Sequence, residues 1–263
     1  MTTIQTVCDF LEQFAPTALA EDWDNVGLIL GDANRPAARI MTCLTVTPES
    51  ASEAIEKNVD LIVAHHPLPF SATKRITTAQ TPTRLIWELA RAGVSVYSPH
   101  TAFDSAIGGI NQMLCQRLEI GDTKPIVPNR TDPQLPGAGR IGSLPQSVLL
   151  KLLAEKVKSE FQLPRLQIVG DFSQKVQKVA TACGSGGSFL SKAARRGAEC
   201  LVTGEATFHT VLEARALGVG LILMGHYFSE RFAIEALANE LNEAFGDSQV
   251  WASVSECDPL QSL

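Results

Sequence analysis

Along this chain, short apolar runs that break off at polar residues alternate with stretches of helical period. Thr6–Phe14 comes first, with Val7, Phe10, Leu11 and Phe14 on one stripe and Pro16 as its stop. Arg39–Val46 reads as a strand. Thr47-Pro48-Glu49 then opens a helix to about Lys57: Thr47 caps it, Pro48 suits the first helical position, and Glu49 and Glu53 favour its amino end. Leu61–Ala64 predicts a buried strand, and His65-His66-Pro67 ends it because proline cannot continue a central strand. Strand, helix, strand is a βαβ unit. Thr83–Ala92 predicts a helix capped by Gly93, Val94–Tyr97 a strand, and Asn111–Leu118 a further helix. Between the first helix and Arg39, the polar turn Glu21–Gly27 carries Trp23, Asp24 and Asn25. Asp24 and Asn25 either face a site or simply build that turn.

From Gly121 to Gly139 the character changes, and Pro125, Pro128, Pro133 and Pro136 mark a candidate linker. This divides the chain into a first domain, residues 1–125, and a second, residues 126–263, with the helix near 229–245 able to pack back on the first. In the second half, Ser147–Phe161 predicts a helix with Leu149, Leu152, Leu153 and Val157 inward. Gln167–Gly170 and Lys178–Cys183 are strand candidates, and Phe189–Arg196 is a helix. Cys200–Thr203 is a strand, Phe208–Leu217 a helix capped by Gly218, and Leu221–Met224 a strand. Ser229–Ala244 is a strong helix and Gln249–Ser253 a last strand. Both halves alternate strand and helix, the pattern of an α/β protein.

Composition narrows this picture. The 263 residues are 45% hydrophobic and 19% charged, enough for real cores in two domains. Net charge is −6, from 22 Lys+Arg against 28 Asp+Glu, with no basic stripe, so nonspecific nucleic-acid binding is not expected. Six scattered cysteines form no C-x-x-C pair, which predicts reduced, mostly buried thiols and no zinc knuckle. The acidic start of the chain is unlike a signal peptide, and no apolar run reaches the ~20 residues that span a bilayer. A soluble cytoplasmic protein, without membrane contact, is expected.

The chemistry gathers where strands end. His65 and His66 follow one, His100 and Asp104 a second, His226 and Glu230 a third. In open α/β sheets, ligands bind outside the carboxyl ends of strands. One histidine at a strand exit is most often a satisfied polar residue. A tandem pair followed by two His/acid pairs at equivalent places points further, to five or six N/O ligands. That number suits two divalent cations better than one tetrahedral site, with Zn, Mn, Fe or Co compatible. No cysteine adjoins these residues in sequence. Gly184-Ser185-Gly186-Gly187-Ser188, between a strand and a helix, is either an anion cradle or a tight turn, and no Gly-Lys-Ser/Thr follows to make it a Walker motif. His209, four residues after Glu205, is either an acid/base group or half of a helix-surface pair.

Several stretches together carry a family resemblance. They are Asp22-Trp23-Asp24-Asn25-Val26-Gly27-Leu28, Asp60–Leu68 with its tandem histidines, His100-Thr101-Ala102-Phe103-Asp104, Gly139-Arg140-Ile141-Gly142, Thr203-Gly204-Glu205, and Gly225-His226-Tyr227-Phe228-Ser229-Glu230. In this order, over nearly the whole chain, they resemble the Nif-three-like dinuclear metal centre family, whose members are labelled GTP cyclohydrolase I type 2 homologues. Ala102-Phe103 stands where the family usually has Asn-Leu, and Thr203-Gly204-Glu205 where it has Thr-Gly-Asp. The resemblance implies two α/β domains with mixed sheets flanked by helices, assembled as a toroidal homohexamer. It also implies two divalent metal ions per subunit, held by His65, His66, Asp104, His226 and Glu230, with His100 beside them. The activity it implies is metal-dependent hydrolysis of a nucleotide-like small molecule, either opening of the guanine ring of GTP or phosphoester cleavage. His100 or His209 would move protons. A metal-binding interaction or regulatory protein, with a protein partner, is the alternative from another class.

Overall fold

The computed structural model describes residues 1–129, 132 and 135–261. The chain forms two compact units. One comprises Met1–Phe103 with Ala233–Cys257, the other Asp104–Phe232 with Asp258–Leu263. The division thus falls at Phe103/Asp104, 22 residues before the break drawn from the prolines.

The first unit opens with α1 (Ile4–Phe14), where the Thr3 hydroxyl accepts from the Thr6 amide and Ile4, Val7 and Leu11 are buried. Its sheet runs β1 (Gly27–Leu30), β4 (Ser95–Ser98), β3 (Leu61–Ala64), β2 (Arg39–Cys43) and β11 (Gln249–Ala252) across its width. β2, β3, β4 and β11 are parallel and β1 antiparallel. α2 (Pro48–Glu56) links β2 to β3. Thr47 and Ser50 form its capping box with Pro48 in the first turn, as the sequence predicts. α3 (Thr81–Ala92) links β3 to β4 and ends on Gly93 at φ +74°, the left-handed value that a C-terminal glycine supplies cheaply. β3 is buried on every residue, so its continuous apolar run reads correctly as a central parallel strand. Ile62, Leu85, Leu89 and Val96 pack with Met41 in the core.

The second unit begins with Asp104, near the end of α4 (His100–Ser105), and continues through α5 (Ile110–Arg117) to β5 (Gly121–Lys124). Then follow β6 (Arg140–Leu149), α6 (Leu150–Glu160), β7 (Gln167–Val169), β8 (Lys175–Ala182), α7 (Leu190–Arg195), β9 (Cys200–Thr203), α8 (Phe208–Leu217) and β10 (Gly220–Leu223). The sheet order is β5-β6-β8-β9-β10-β7, with β8, β9 and β10 parallel and the outer pairings antiparallel. Both sheets are mixed, as expected.

Three expectations are corrected. The proline-rich stretch is no linker: β5 pairs with β6, and Val127 bridges Ala138 inside the same unit. Pro133 lies outside the described residues. Residues 147–149 finish β6 instead of opening a helix, because Val148 and Leu149 still pair with Val176 and Lys175. α9 spans His226–Ala244, three residues longer at its start than its apolar period indicates.

Arg140 explains why Gly139-Arg140 stands where β6 begins. The guanidinium is buried and donates to the carbonyls of Ser105, Ala106, Gly137 and Gly139 at 2.6–2.8 Å. Ser105 ends α4 and Ala106 follows it, so a fixed planar fork satisfies carbonyls that the helix end leaves open. No helix among the described residues is long and apolar enough to cross a membrane.

Candidate metal centre

In the first unit, β2, β3 and β4 are parallel neighbours, and the carboxyl ends of β3 and β4 carry the imidazoles. The ladder outlasts the strands: the His65 amide donates to Cys43 O at 2.9 Å and the His66 amide to Leu44 O at 2.8 Å. His65 and His100 are buried and His66 half-buried. Ring nitrogens of His65, His66 and His100 lie within 4.8 Å of one another. Three imidazoles this close would repel if protonated. Neutral, they are a set of nitrogen donors for a cation.

The rings of His66 and His100 are oriented from behind. Thr45 Oγ1 meets His66 Nδ1 at 2.7 Å. Asp24 Oδ1 meets His100 Nδ1 at 2.7 Å, and Asp24 Oδ2 accepts from both the hydroxyl and the amide of Thr101. Burial works to raise Asp24, but hydrogen bonds from His100 and Thr101 prevail and hold its carboxyl down at about 2. As a carboxylate it fixes the proton of a neutral His100 on Nδ1 and turns Nε2 into the basic nitrogen. Phe103 completes the wall, its ring 6.2 Å from that of His65. On the open side stand Trp23 and Phe70, each more than half exposed, 5.9 and 5.8 Å from the His100 ring. Their loops are tied together where Asn25 Nδ2 donates to Pro69 O at 3.0 Å. Asp24 thus faces the imidazole cluster through His100, whereas Asn25 builds the turn and ties it to the loop of Pro69.

In the second unit, β8, β9 and β10 are parallel, so their exits also gather at one edge. His226 and Glu230 both lie on α9 one turn apart, with His226 Nε2 3.2 Å from Glu230 Oε2. Glu205, after β9, receives His226 Nδ1 at 2.8 Å and the Ser185 hydroxyl at 2.6 Å. The Glu230 carboxylate, with Glu205 behind it, lifts the His226 imidazole to about 9 against the opposing pull of burial. Carboxylate oxygens of Asp104 and Glu230 come within 4.8 Å of each other. Two acids at that distance repel when ionised, and a divalent cation removes the repulsion. The donor chemistry of both units therefore fits metal ions: buried and half-buried His, Asp and Glu groups that could hold one.

Some expectations need correction here. His100 and Asp104, read only as following a strand, both lie on α4, which sets them one turn apart. His226 opens α9 and Glu230 sits in its second turn. No cysteine adjoins these residues in sequence, but the fold brings one to them: Cys183, directly after β8, donates from Sγ to Asp104 Oδ1 at 3.1 Å. Burial pushes its thiol well above the ordinary value, and the charges of Asp104 and Glu230 push the same way. His209 forms no helix pair with Glu205, because α8 starts only at Phe208 and Glu205 turns to Ser185 and His226. His209 is exposed, stands against Phe208, and joins none of the ligand groups found among the described residues. The glycine-rich stretch is a tight strand-to-helix turn. A side chain at Gly186 would strike Ala182 and Thr203, and one at Gly187 would strike Ala206, so these glycines allow close packing. The neighbouring Glu205 and Glu230 would repel an anion.

Sequence reading missed Cys183, Thr45 and Asn111. Asn111 Nδ2 donates to Asp104 O at 3.1 Å and its Oδ1 accepts the Cys183 amide at 2.9 Å. These contacts span 21 to 79 positions in all but one case, a separation that no local pattern reports.

Fold and clusters define a two-unit α/β protein whose strand exits carry imidazoles and carboxylates suited to divalent cations. Sequence comparison supplies the family. The profile of Duf34/NIF3 (NGG1p interacting factor 3) matches residues 2–259, and the chain belongs to that family. It is 33% identical to a Clostridium acetobutylicum protein named GTP cyclohydrolase 1 type 2 homolog, over 98% of both chains. It is 34% identical to a Schizosaccharomyces pombe protein named NIF3 homolog, over 93% of this chain and 92% of that one. Among solved structures, Staphylococcus aureus protein SA1388 superposes with a TM-score of 0.89 at 26% identity, covering 100% of this chain and 99% of that one. A Bacillus cereus protein related to NIF3 shares the fold, with a TM-score of 0.90 at 22% identity, covering 100% and 99%.

Proposed function

We propose that this protein is a dinuclear-metal-dependent hydrolase acting on a nucleotide or a related small molecule. His65, His66, Asp104, His226 and Glu230 are its ligands for two divalent cations, of Zn, Mn, Fe or Co type. The observation that carries the reading is the clustering of buried and half-buried nitrogen and oxygen donors within each unit: three imidazoles in the first, two carboxylates beside an imidazole in the second. When bound, such a metal pair lowers the pKa of a water toward neutrality and stabilises charge developing on the attacked centre.

The chain's own residues supply the rest. Asp24 keeps the Nδ1 proton on His100, so Nε2 is the nitrogen that takes a proton from the nucleophile and returns it to the leaving group. His209, on α8, is the second acid/base candidate. Glu205 holds His226 in its ring orientation. Trp23 and Phe70 offer aromatic surface against which a planar base can stack. The names of the relatives favour a guanine nucleotide, and phosphoester cleavage draws on the same groups. The test is turnover of GTP and a phosphoester panel by Mn- or Zn-loaded protein. Turnover is expected to fall by about two orders of magnitude in His65→Ala and in His100→Asn. Equal turnover in wild type and His65→Ala, or none in either, sinks the hydrolase reading.

A second reading, a metal-binding interaction or regulatory protein, takes its support from the family's description as an interacting factor. Metal-loaded protein that is inert on the whole panel yet copurifies with one defined partner favours it. In both readings the chain assembles as a homohexamer, as the family resemblance implies.

A further inference from the structure

Cys183 is the residue of the second unit that neither reading uses. It leaves β8 in the position after Ala182, which pairs with Thr203 at the end of β9, so parallel pairing fixes where its side chain starts. Its amide is held by Asn111 Oδ1 at 2.9 Å, and the same Asn111 side chain donates to the Asp104 carbonyl at 3.1 Å. One amide side chain therefore ties the exit of β8 to the turn of α4 that carries Asp104. Between those two anchored backbones the Cys183 thiol donates to Asp104 Oδ1 at 3.1 Å, buried from solvent. The next residue, Gly184, is held by its amide to Ser229 Oγ at 2.9 Å, and a side chain there would fall on the Glu230 carboxylate. The β8 exit thus braces both acids, Asp104 through a thiol and Glu230 by close backbone approach.

We infer that Cys183 is a positioning residue for the metal centre: its S–H donor occupies one lone pair of Asp104 Oδ1 and fixes the carboxylate rotamer that presents the remaining lone pairs to a cation. Carboxylates that ligate metals are themselves held by hydrogen bonds, and removing such a partner costs 10- to 100-fold in metal affinity in typical cases. The inference rests on Asp104 being a ligand, as proposed above.

The probe is Mn²⁺ alone, a hard cation that thiolates do not compete for, titrated into purified full-length protein while the electron paramagnetic resonance of the free ion is followed. Wild type, Cys183→Ser, Cys183→Ala and Cys183→Val are compared, with melting temperature recorded for each. Serine keeps a donor, whereas alanine and valine remove it at smaller and near-equal volume, so a packing defect in one is checked by the other. The expected result is an affinity loss of about 10-fold or more in alanine and valine, with serine within about threefold of wild type. Wild-type affinity in folded alanine or valine variants overturns the inference while leaving the metal site intact. So does loss that follows melting temperature instead of the presence of a donor. Wild-type protein that binds no Mn²⁺ overturns the metal site, and this inference with it.

Discussion

Gly184 sits at φ +56°, a conformation that glycine adopts without penalty and alanine does not. Its Cα also lies where a Cβ would fall on Glu230 Oε1 and come 3.3 Å from His226 Nε2. Gly184→Ala is therefore expected to cost about 1–2 kcal/mol from backbone strain alone and to displace the Glu230 carboxylate. The measurement is thermal melting with and without Mn²⁺. Wild type should gain stability with the metal by linkage, and the variant should lose most of that gain. An unaltered metal-dependent shift in Gly184→Ala would show that Glu230 is not a ligand. At this scale the candidate donors were legible as a set: His65, His66, His100, Asp104, His226 and Glu230 stand just past strands, where α/β proteins put chemistry, and the fold gathers them into groups that could hold a metal ion. What orients them was not. Asp24 reaches His100 across 76 positions, and Cys183 reaches Asp104 across 79. Only the fold brings them into register, and a thiol looks like any other small buried residue in sequence.

Glu53 shows how elements are fastened together. It lies on α2, and its carboxylate accepts from Lys57 Nζ at 2.8 Å, Trp251 Nε1 at 3.1 Å, Ser253 Oγ at 2.7 Å and the Ser255 amide at 3.0 Å. The segment leaving β11 is thus pinned to a helix two hundred residues earlier. Burial pushes the Glu53 carboxyl up, but these donors outweigh it and hold it near 2, below the ordinary 4.5. A carboxyl depressed by folding contributes stability above its unfolded pKa, and that contribution is lost as pH falls toward the folded value. Glu53→Gln is expected to lower stability by about 1–3 kcal/mol at pH 7, because buried donors lose a charged acceptor. Between pH 4.5 and 2 the gap from wild type should shrink as the wild-type carboxyl takes up its proton. Urea unfolding at a series of pH values checks this, and a pH-independent gap refutes it. Sequence period located most elements within a few residues. It failed at Ser147–Leu149, where an apolar run suits either a strand end or a helix start and pairing with β8 decides. It failed again at His226–Phe228, where aromatic residues hide the first turn of α9.

For the molecule as a whole, the proposed hexamer predicts a light-scattering mass in solution six times that of one chain, independent of protein concentration over the micromolar range. A single-chain mass would remove the assembly without touching the metal site. The division into units was only partly legible. Prolines mark a change of texture, yet Pro125 and Pro128 flank strand and bridge pairings inside one unit, so irregular backbone there is not a hinge. The return of Ala233–Cys257 to the first unit was glimpsed as a helix that packs back, but the partner of its strand was not. β11 pairs with β2, Gln249 opposite Arg39.

That pairing has a consequence for synthesis on the ribosome. Because the first unit needs the chain's last strand, its sheet keeps one open edge along β2 until some two hundred further residues have been translated. The sheet of the second unit, whose strands all lie between Gly121 and Leu223, can close earlier. The usual order, in which amino-terminal domains finish folding first, is inverted for the sheets: the one begun first is the last to receive all its strands, and its tandem histidines wait on an edge still open to chaperones and to neighbouring nascent chains.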